Sequence, residues 1–111
     1  MDYKRILTIQ DISCIGQCSM TVALPILSAC GQETVILPSA VLSSHTGGFS
    51  KPAIQDLTDH LPAVCAHWKQ EGIRFDGIYT GYLGSIRQID WVANLLEEMI
   101  EPGGKIIVET I

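Results

Sequence analysis

Three stretches of this sequence crowd together residue types that could hold a small polar ligand. Ser43-Ser44-His45-Thr46-Gly47-Gly48 sets hydroxyls and an imidazole beside two glycines. Thr80-Gly81-Tyr82-Leu83-Gly84-Ser85 sets a phenol ring among hydroxyls and glycines. Gln10-Asp11-Ile12-Ser13-Cys14-Ile15-Gly16-Gln17 adds a carboxylate, amides, a hydroxyl and a thiol. Hydroxyls and imidazole make directional hydrogen bonds, and an aromatic ring supplies a stacking face. Glycine lets backbone approach a ligand closely. Together these are the ingredients of a site for a compact polar molecule with a flat face.

Each stretch follows an apolar run that reads as a strand covered on both faces: Ile6-Leu7-Thr8-Ile9, Thr34-Val35-Ile36-Leu37 and Phe75-Asp76-Gly77-Ile78-Tyr79. Pro38 is expected to close the second, with a long loop after it. A fourth run, Lys105-Ile106-Ile107-Val108, is followed by Glu109 and Thr110. Between the runs the period changes to that of a helix. Met20, Ala23, Leu24 and Leu27 share one face, with Pro25 inside the pattern and Gly31 placed to end it. Ile54, Leu57, Leu61, Val64, Cys65 and Trp68 continue helical spacing, which Pro62 splits into a short and a longer helix ending at Gly72. Ser85 and Gln88 have capping-box spacing, and Ile89, Val92, Leu96 and Met99 form the inward face of a third helix stopped by Pro102-Gly103-Gly104.

Strand–helix alternation of this length predicts right-handed crossovers and an α/β fold: a doubly wound, mainly parallel sheet with flanking helices. Ligands bind such sheets beyond the carboxyl ends of the strands, where all three stretches would converge. A single domain of residues 1–111 is expected, with four strands or so. Such a sheet normally goes on to a further helix, so an incomplete domain, or one completed by a partner chain, is expected.

The chain is 47% apolar and 17% charged, as a folded globular protein is. Its net charge of −5 and seven scattered basic residues disfavour a nucleic acid or an anionic membrane as partner. No secretion signal and no membrane-spanning apolar stretch is visible, so a cytoplasmic protein is expected. Cys14, Cys18, Cys30 and Cys65 lack metal-ligand spacing and read as free thiols packed as small apolar groups; no metal site is expected from them. The Gly-x-x-x-x-Gly-Lys-Ser/Thr loop of P-loop proteins is absent, and so is a Gly-x-Gly-x-x-Gly turn after the first strand. Gly81 to Ser85, at a strand–helix turn, could receive an anion at the helix N-terminus.

The combination of Ile9-Gln10 with Gly16 six residues on, Leu42-Ser43-Ser44-His45-Thr46-Gly47, and Thr80-Gly81-Tyr82-Leu83-Gly84-Ser85 resembles the pyridoxal (vitamin B6) kinases of the ribokinase-like superfamily. The resemblance runs from about Lys4 to Val108 and is carried by the set of motifs together. Cys14-Ile15-Gly16-Gln17-Cys18 stands where the related hydroxymethylpyrimidine kinases have a Gly/Ala-rich turn, which favours the pyridoxal branch.

The resemblance implies transfer of the γ-phosphoryl of ATP, with Mg²⁺, to the 5′-hydroxymethyl group of pyridoxal, pyridoxine or pyridoxamine. It places Thr46 on the polar substituents of the pyridine ring, Tyr82 against the ring and His45 at the border of the pocket, with Leu42 and Cys18 as apolar walls. Asp11 stands where these kinases usually have serine, and could accept from a protonated ring nitrogen. Glu109 holds the place of an aspartate near the metal and phosphates. The family's Gly-x-Gly-Asp segment, with its catalytic aspartate, does not occur in these 111 residues, so no catalytic residue is assigned. The chain is expected to be the N-terminal, vitamer-binding half of such a kinase and to lack kinase activity by itself. The resemblance also allows a homodimer.

Other readings stand beside this one. A kinase for hydroxymethylpyrimidine or a similar small alcohol is the nearest. A non-catalytic binding or assembly module, using an unpaired strand edge to take a partner, is another. A fragment that simply folds is the third. At single positions, His45 could bond only to backbone, Tyr82 could be a packing residue, and Asp11 a turn or cap. His60, His67, Glu97 and Glu98 read as solvated, and Trp68 and Trp91 as helix-packing residues.

Overall fold

The architecture is that of a computed structural model, which describes residues 4–16, 19–44, 50–81 and 86–108. The apolar runs pair into one sheet of five strands: β1 (Arg5–Ser13), β2 (Glu33–Leu42), β3 (Ile54–Asp56), β4 (Phe75–Thr80) and β5 (Ile100–Val108). Their order is β3-β2-β1-β4-β5. β1 lies parallel to β2 and β4, and β4 parallel to β5; only β3 runs antiparallel, against β2. Three helices, α1 (Met20–Ala29), α2 (Leu61–Gln70) and α3 (Ile86–Met99), make the crossovers.

The faces follow from handedness. The chain steps one way along the sheet from β1 to β2, and the other way from β2 to β4 and on to β5. Right-handed crossovers then put α1 on one face and α2 with α3 on the other. The packing agrees. Leu7, Ile9, Leu37, Phe75 and Ile78 of the sheet are buried in one cluster with Leu61 and Cys65 of α2 and Val92, Leu95 and Met99 of α3. Trp68 meets the ring of Phe75 edge-on, centroids 5.6 Å apart. Met20 and Ala23 of α1 are buried outside that cluster.

Polar contacts close the frame. Lys69 and Glu98 form an ion pair between α2 and α3. The Arg74 guanidinium donates to the carbonyls of Glu98 and Ile100, at 3.3 and 2.6 Å, and to the Glu101 carboxylate at 3.1 Å. A cation there satisfies carbonyls left open at the end of α3 and opposes the helix dipole. Gly31 and Gly72, with φ of +84° and +72°, turn the chain out of α1 and α2.

The doubly wound, mainly parallel sheet with flanking helices is as the sequence predicts. Several boundaries differ. Pro38 does not close the second strand: β2 runs on to Leu42, because the missing N–H falls beside a bulge where the ladder is already interrupted. Ile54 and Leu57 do not extend a helix. Ile54–Asp56 pairs with Leu42, Val41 and Ala40, and a 3-10 turn, Thr58–His60, precedes α2, with Pro62 in its first turn. α1 continues through Pro25, which is exposed. α3 ends at Met99, and Pro102-Gly103-Gly104 forms the irregular stretch of β5 opposite β4. Among the described side chains of α3, Gln88, Val92, Leu95 and Met99 are buried, whereas Ile89 is 51% exposed; Leu96 lies outside the described side chains. The expected cap at Ser85 lies outside the described residues.

Candidate functional site

β2 lies on one side of β1 and β4, reached by the opposite step, on the other, so the switch point of the sheet lies between β1 and β4. A ligand crevice is expected outside the carboxyl ends of these strands. The buried polar side chains gather there. Thr8, Gln10 and Ser13 of β1, Ser39 of β2, Ser44 just past β2 and Thr80 of β4 are all buried; Gln88 on α3 is the exception among the described residues. Hydroxyls and amides are costly to bury without partners, so their concentration at one edge calls for a reason.

Asp11 lies inside β1 instead of in a loop beyond it. The ladder pairs Gln10 with Pro38 and Ile12 with Val41, so Ser39 and Ala40 together oppose the single residue Asp11. This is a β-bulge, a device that re-aims side chains beside binding sites. The Asp11 carboxylate is half-buried and makes no hydrogen bond or ion pair among the described residues. Leu42 is buried at the end of β2, where its carbonyl accepts from the Cys14 amide at 2.9 Å, tying the end of β2 to the loop after β1. Leu42 and Asp11 thus border the same edge of the sheet.

The segment that carries His45 and Thr46 connects antiparallel β2 and β3. Its base is clamped twice: Ser43 N donates to the Ala53 carbonyl, and Ala53 N to Ser43 Oγ, both at 2.9 Å. His45, Thr46, Cys18, Tyr82 and Glu109 themselves lie outside the described residues.

Three further groups at this edge take a definite place only in the structure. Gln10 is buried, and its Nε2 donates to Thr8 Oγ1 at 3.2 Å. Gly81 N donates to the Ile9 carbonyl at 3.0 Å, extending the β1–β4 ladder past the end of β4. Thr80 Oγ1 is buried and has no hydrogen-bond partner among the described residues. The signal in the sequence was a polar residue inside an otherwise apolar strand, at Thr8, Gln10 and Thr80. No group of three or more His, Cys, Asp or Glu suited to a metal ion occurs among the described residues, so no metal ligand is assigned. No described helix is long and apolar enough to cross a membrane. Cys14 and Cys30 are exposed free thiols; Cys65 is a buried one.

The opposite edge is of a different kind. At the amino ends of the strands, Arg5, Glu33, Arg74, Asp76, Glu101 and Pro102 line an open cavity of about 510 Å³. Its charges serve the frame: Arg5 Nε pairs with Glu33 at 2.9 Å, Arg5 N donates to Asp76 at 2.9 Å, and Arg74 holds Glu101.

No family model matches the sequence, and no curated protein matches it. Solved structures do. A candidate phosphomethylpyrimidine kinase from Bacteroides thetaiotaomicron, solved with pyridoxal, shares 42% identity over 96% of this chain and 37% of its own, with a TM-score of 0.90. Pyridoxal kinase from Lactobacillus plantarum shares 33% identity over 96% of this chain and 38% of its own, with a TM-score of 0.88. Pyridoxal kinase from Staphylococcus aureus, in complex with AMP-PCP and pyridoxal, has the same fold at 17% identity, with a TM-score of 0.79 over 97% of this chain and 39% of its own. The chain thus spans well under half the length of these structures. In sequence and in fold, it is similar to the N-terminal part of the pyridoxal and phosphomethylpyrimidine kinases, which are ribokinase-like.

Proposed function

We propose that residues 1–111 form the N-terminal, vitamer-binding part of an ATP-dependent kinase that phosphorylates the 5′-hydroxymethyl group of pyridoxal, pyridoxine or pyridoxamine. The observation that carries this reading is the 42% identity, at a TM-score of 0.90, to a structure that holds pyridoxal. The crevice chemistry supports it. A protonated pyridine needs an acceptor on its nitrogen, and Asp11 offers a carboxylate with no other partner among the described residues. Thr46 bonds the ring substituents, Tyr82 stacks on the ring, and His45, Leu42 and Cys18 complete the pocket. Glu109 borders the nucleotide site.

ATP supplies the phosphoryl group and Mg²⁺ neutralises its charge; AMP-PCP in the Staphylococcus aureus kinase is in keeping with a nucleotide. This chain's own residues bind and orient the acceptor alcohol. Alone, without a Gly-x-Gly-Asp segment among its residues, it binds without transferring phosphoryl. A second reading, a kinase for hydroxymethylpyrimidine, is favoured by the name of the Bacteroides thetaiotaomicron protein and differs only in the ring bound.

Titration with pyridoxal, pyridoxine and hydroxymethylpyrimidine, followed by tryptophan or tyrosine fluorescence, tests both. Saturable binding of a vitamer is expected. Asp11→Asn should weaken it by about tenfold to a hundredfold, since a hydrogen bond to a charged group contributes about 1.5–3 kcal/mol. Thr46→Ala and Tyr82→Ala should weaken it too. Preference for the pyrimidine would select the second reading, and a folded protein that binds none of the three refutes both.

A further inference from the structure

Gln10 and Gly81 face each other across the β1–β4 ladder at the switch point. Thr80 pairs with Ile9, so Gly81 falls beside Gln10 on the same side of the sheet. A Cβ at position 81 would stand 2.6 Å from Gln10 Oε1, 3.0 Å from Cδ and 3.4 Å from Cγ. Backbone conformation does not demand glycine there, because φ at Gly81 is not positive. Space demands it. The glutamine cannot yield freely, for it is 3% exposed and its amide is tied to Thr8 Oγ1 at 3.2 Å.

We propose that Gln10 is a positioning residue of the crevice: its carboxamide fills the space a side chain at position 81 would take, and so fixes where the chain leaves β4 toward Tyr82. The buried amide acts as a spacer. With no Cβ to meet that amide, residue 81 lies close enough to β1 for its N–H to reach the Ile9 carbonyl at 3.0 Å. The ring-stacking role of Tyr82 is part of the vitamer reading, and the ligand readout below rests on that reading. The exchange readout does not.

The test is a reciprocal rescue in the full chain with Gly81→Ala, Gln10→Ala and the double variant. Two quantities are measured: pyridoxal affinity, and hydrogen-exchange protection of the residue 81 amide without ligand. Gly81→Ala should weaken pyridoxal binding tenfold or more and lower protection of that amide by a similar factor. The double variant should recover both to the level of Gln10→Ala alone, since removing the carboxamide makes room for the new methyl. Effects that simply multiply in the double variant overturn the proposal, as does a Gly81→Ala protein that behaves as wild type. If Gly81→Ala does not fold, a folded double variant supports the proposal and an unfolded one overturns it. A wild-type chain that ignores pyridoxal refutes the vitamer reading alone, and the exchange data then decide the role of Gln10.

Discussion

Replacing Thr80 by valine should make the protein more stable. The side chain is 0% exposed, and its hydroxyl has no hydrogen-bond partner among the described residues. It sits in the ladder beside Ile9, two residues from buried Ile78, among apolar neighbours. Valine keeps the branched shape and puts a methyl where the hydroxyl was. A buried polar group left unpaired costs about 1–3 kcal/mol, and that cost disappears in the variant. No cavity is opened, so nothing of similar size opposes the gain. In a domain of this size about 1 kcal/mol moves the thermal midpoint by roughly 4 °C or more, so a rise of about 4–12 °C is expected. Urea unfolding provides the second measure, with the midpoint raised and the slope unchanged. The reasoning fails if Thr80→Val lowers stability by about 1 kcal/mol or more, because the hydroxyl is then satisfied in solution and its loss is a real loss. The same variant probes function. Under the proposed vitamer reading the hydroxyl serves the ligand, so the more stable variant should bind pyridoxal less tightly.

Two further outcomes follow from packing and titration. Leu95→Ala should cost about 2–5 kcal/mol and Ile89→Ala less than about 1 kcal/mol, since Leu95 is in the core and Ile89 is half exposed; equal costs in urea unfolding would place the inward face of α3 wrongly. Burial pushes the Cys65 thiol above its ordinary value of 9.0, with Lys69 pulling it partly back. The folded state therefore holds this proton where the unfolded chain gives it up, so the associated stability is whole below about pH 9 and is lost as pH rises through the folded value. Between pH 8 and pH 10 wild type should lose stability more steeply than Cys65→Ala, and parallel losses would show that the thiol is not the titrating group.

Where one residue's periodicity settled the matter, the sequence was a good guide, and where pairing across the sheet decided, it was not. The parallel strands were legible because short apolar runs bounded by turn residues alternate with segments of helical spacing, as crossover helices require. β3 was not, because Ile54-Gln55-Asp56 is short and exposed, and Ile54 and Leu57 continue the spacing of α2. Helical spacing in α3 places Val92 and Met99 inward as expected, but not Ile89. Gln88 takes an inward place because Thr58 Oγ1 accepts from its amide at 2.7 Å, and Ile89 turns out to solvent in exchange. The bulge opposite Asp11 is made by two residues of β2, which no reading of β1 alone could reveal. Asp11 and Leu42 were named from sequence at the edge where they lie; Gln10 and Thr80 were not given roles, since a polar residue within a strand tells its purpose only once its neighbours are known.

The two ends of the same sheet treat polar groups in opposite ways, and that contrast argues for where the ligand goes. At the amino edge, Arg5 meets Glu33 and Asp76, and Arg74 meets Glu101 and two carbonyls. Those charges are partly exposed and cheap to leave in water, yet they are paired. At the carboxyl edge Thr80 is fully buried, where an unmet hydrogen bond costs most, yet its Oγ1 has no partner among the described residues, and half-buried Asp11 has none there either. If stability alone had shaped the sheet, the pattern would run the other way, with buried groups satisfied first. Two unmet groups beside the switch point, Thr80 Oγ1 and the Asp11 carboxylate that faces the bulge of β2, support the proposal that a ligand is received there.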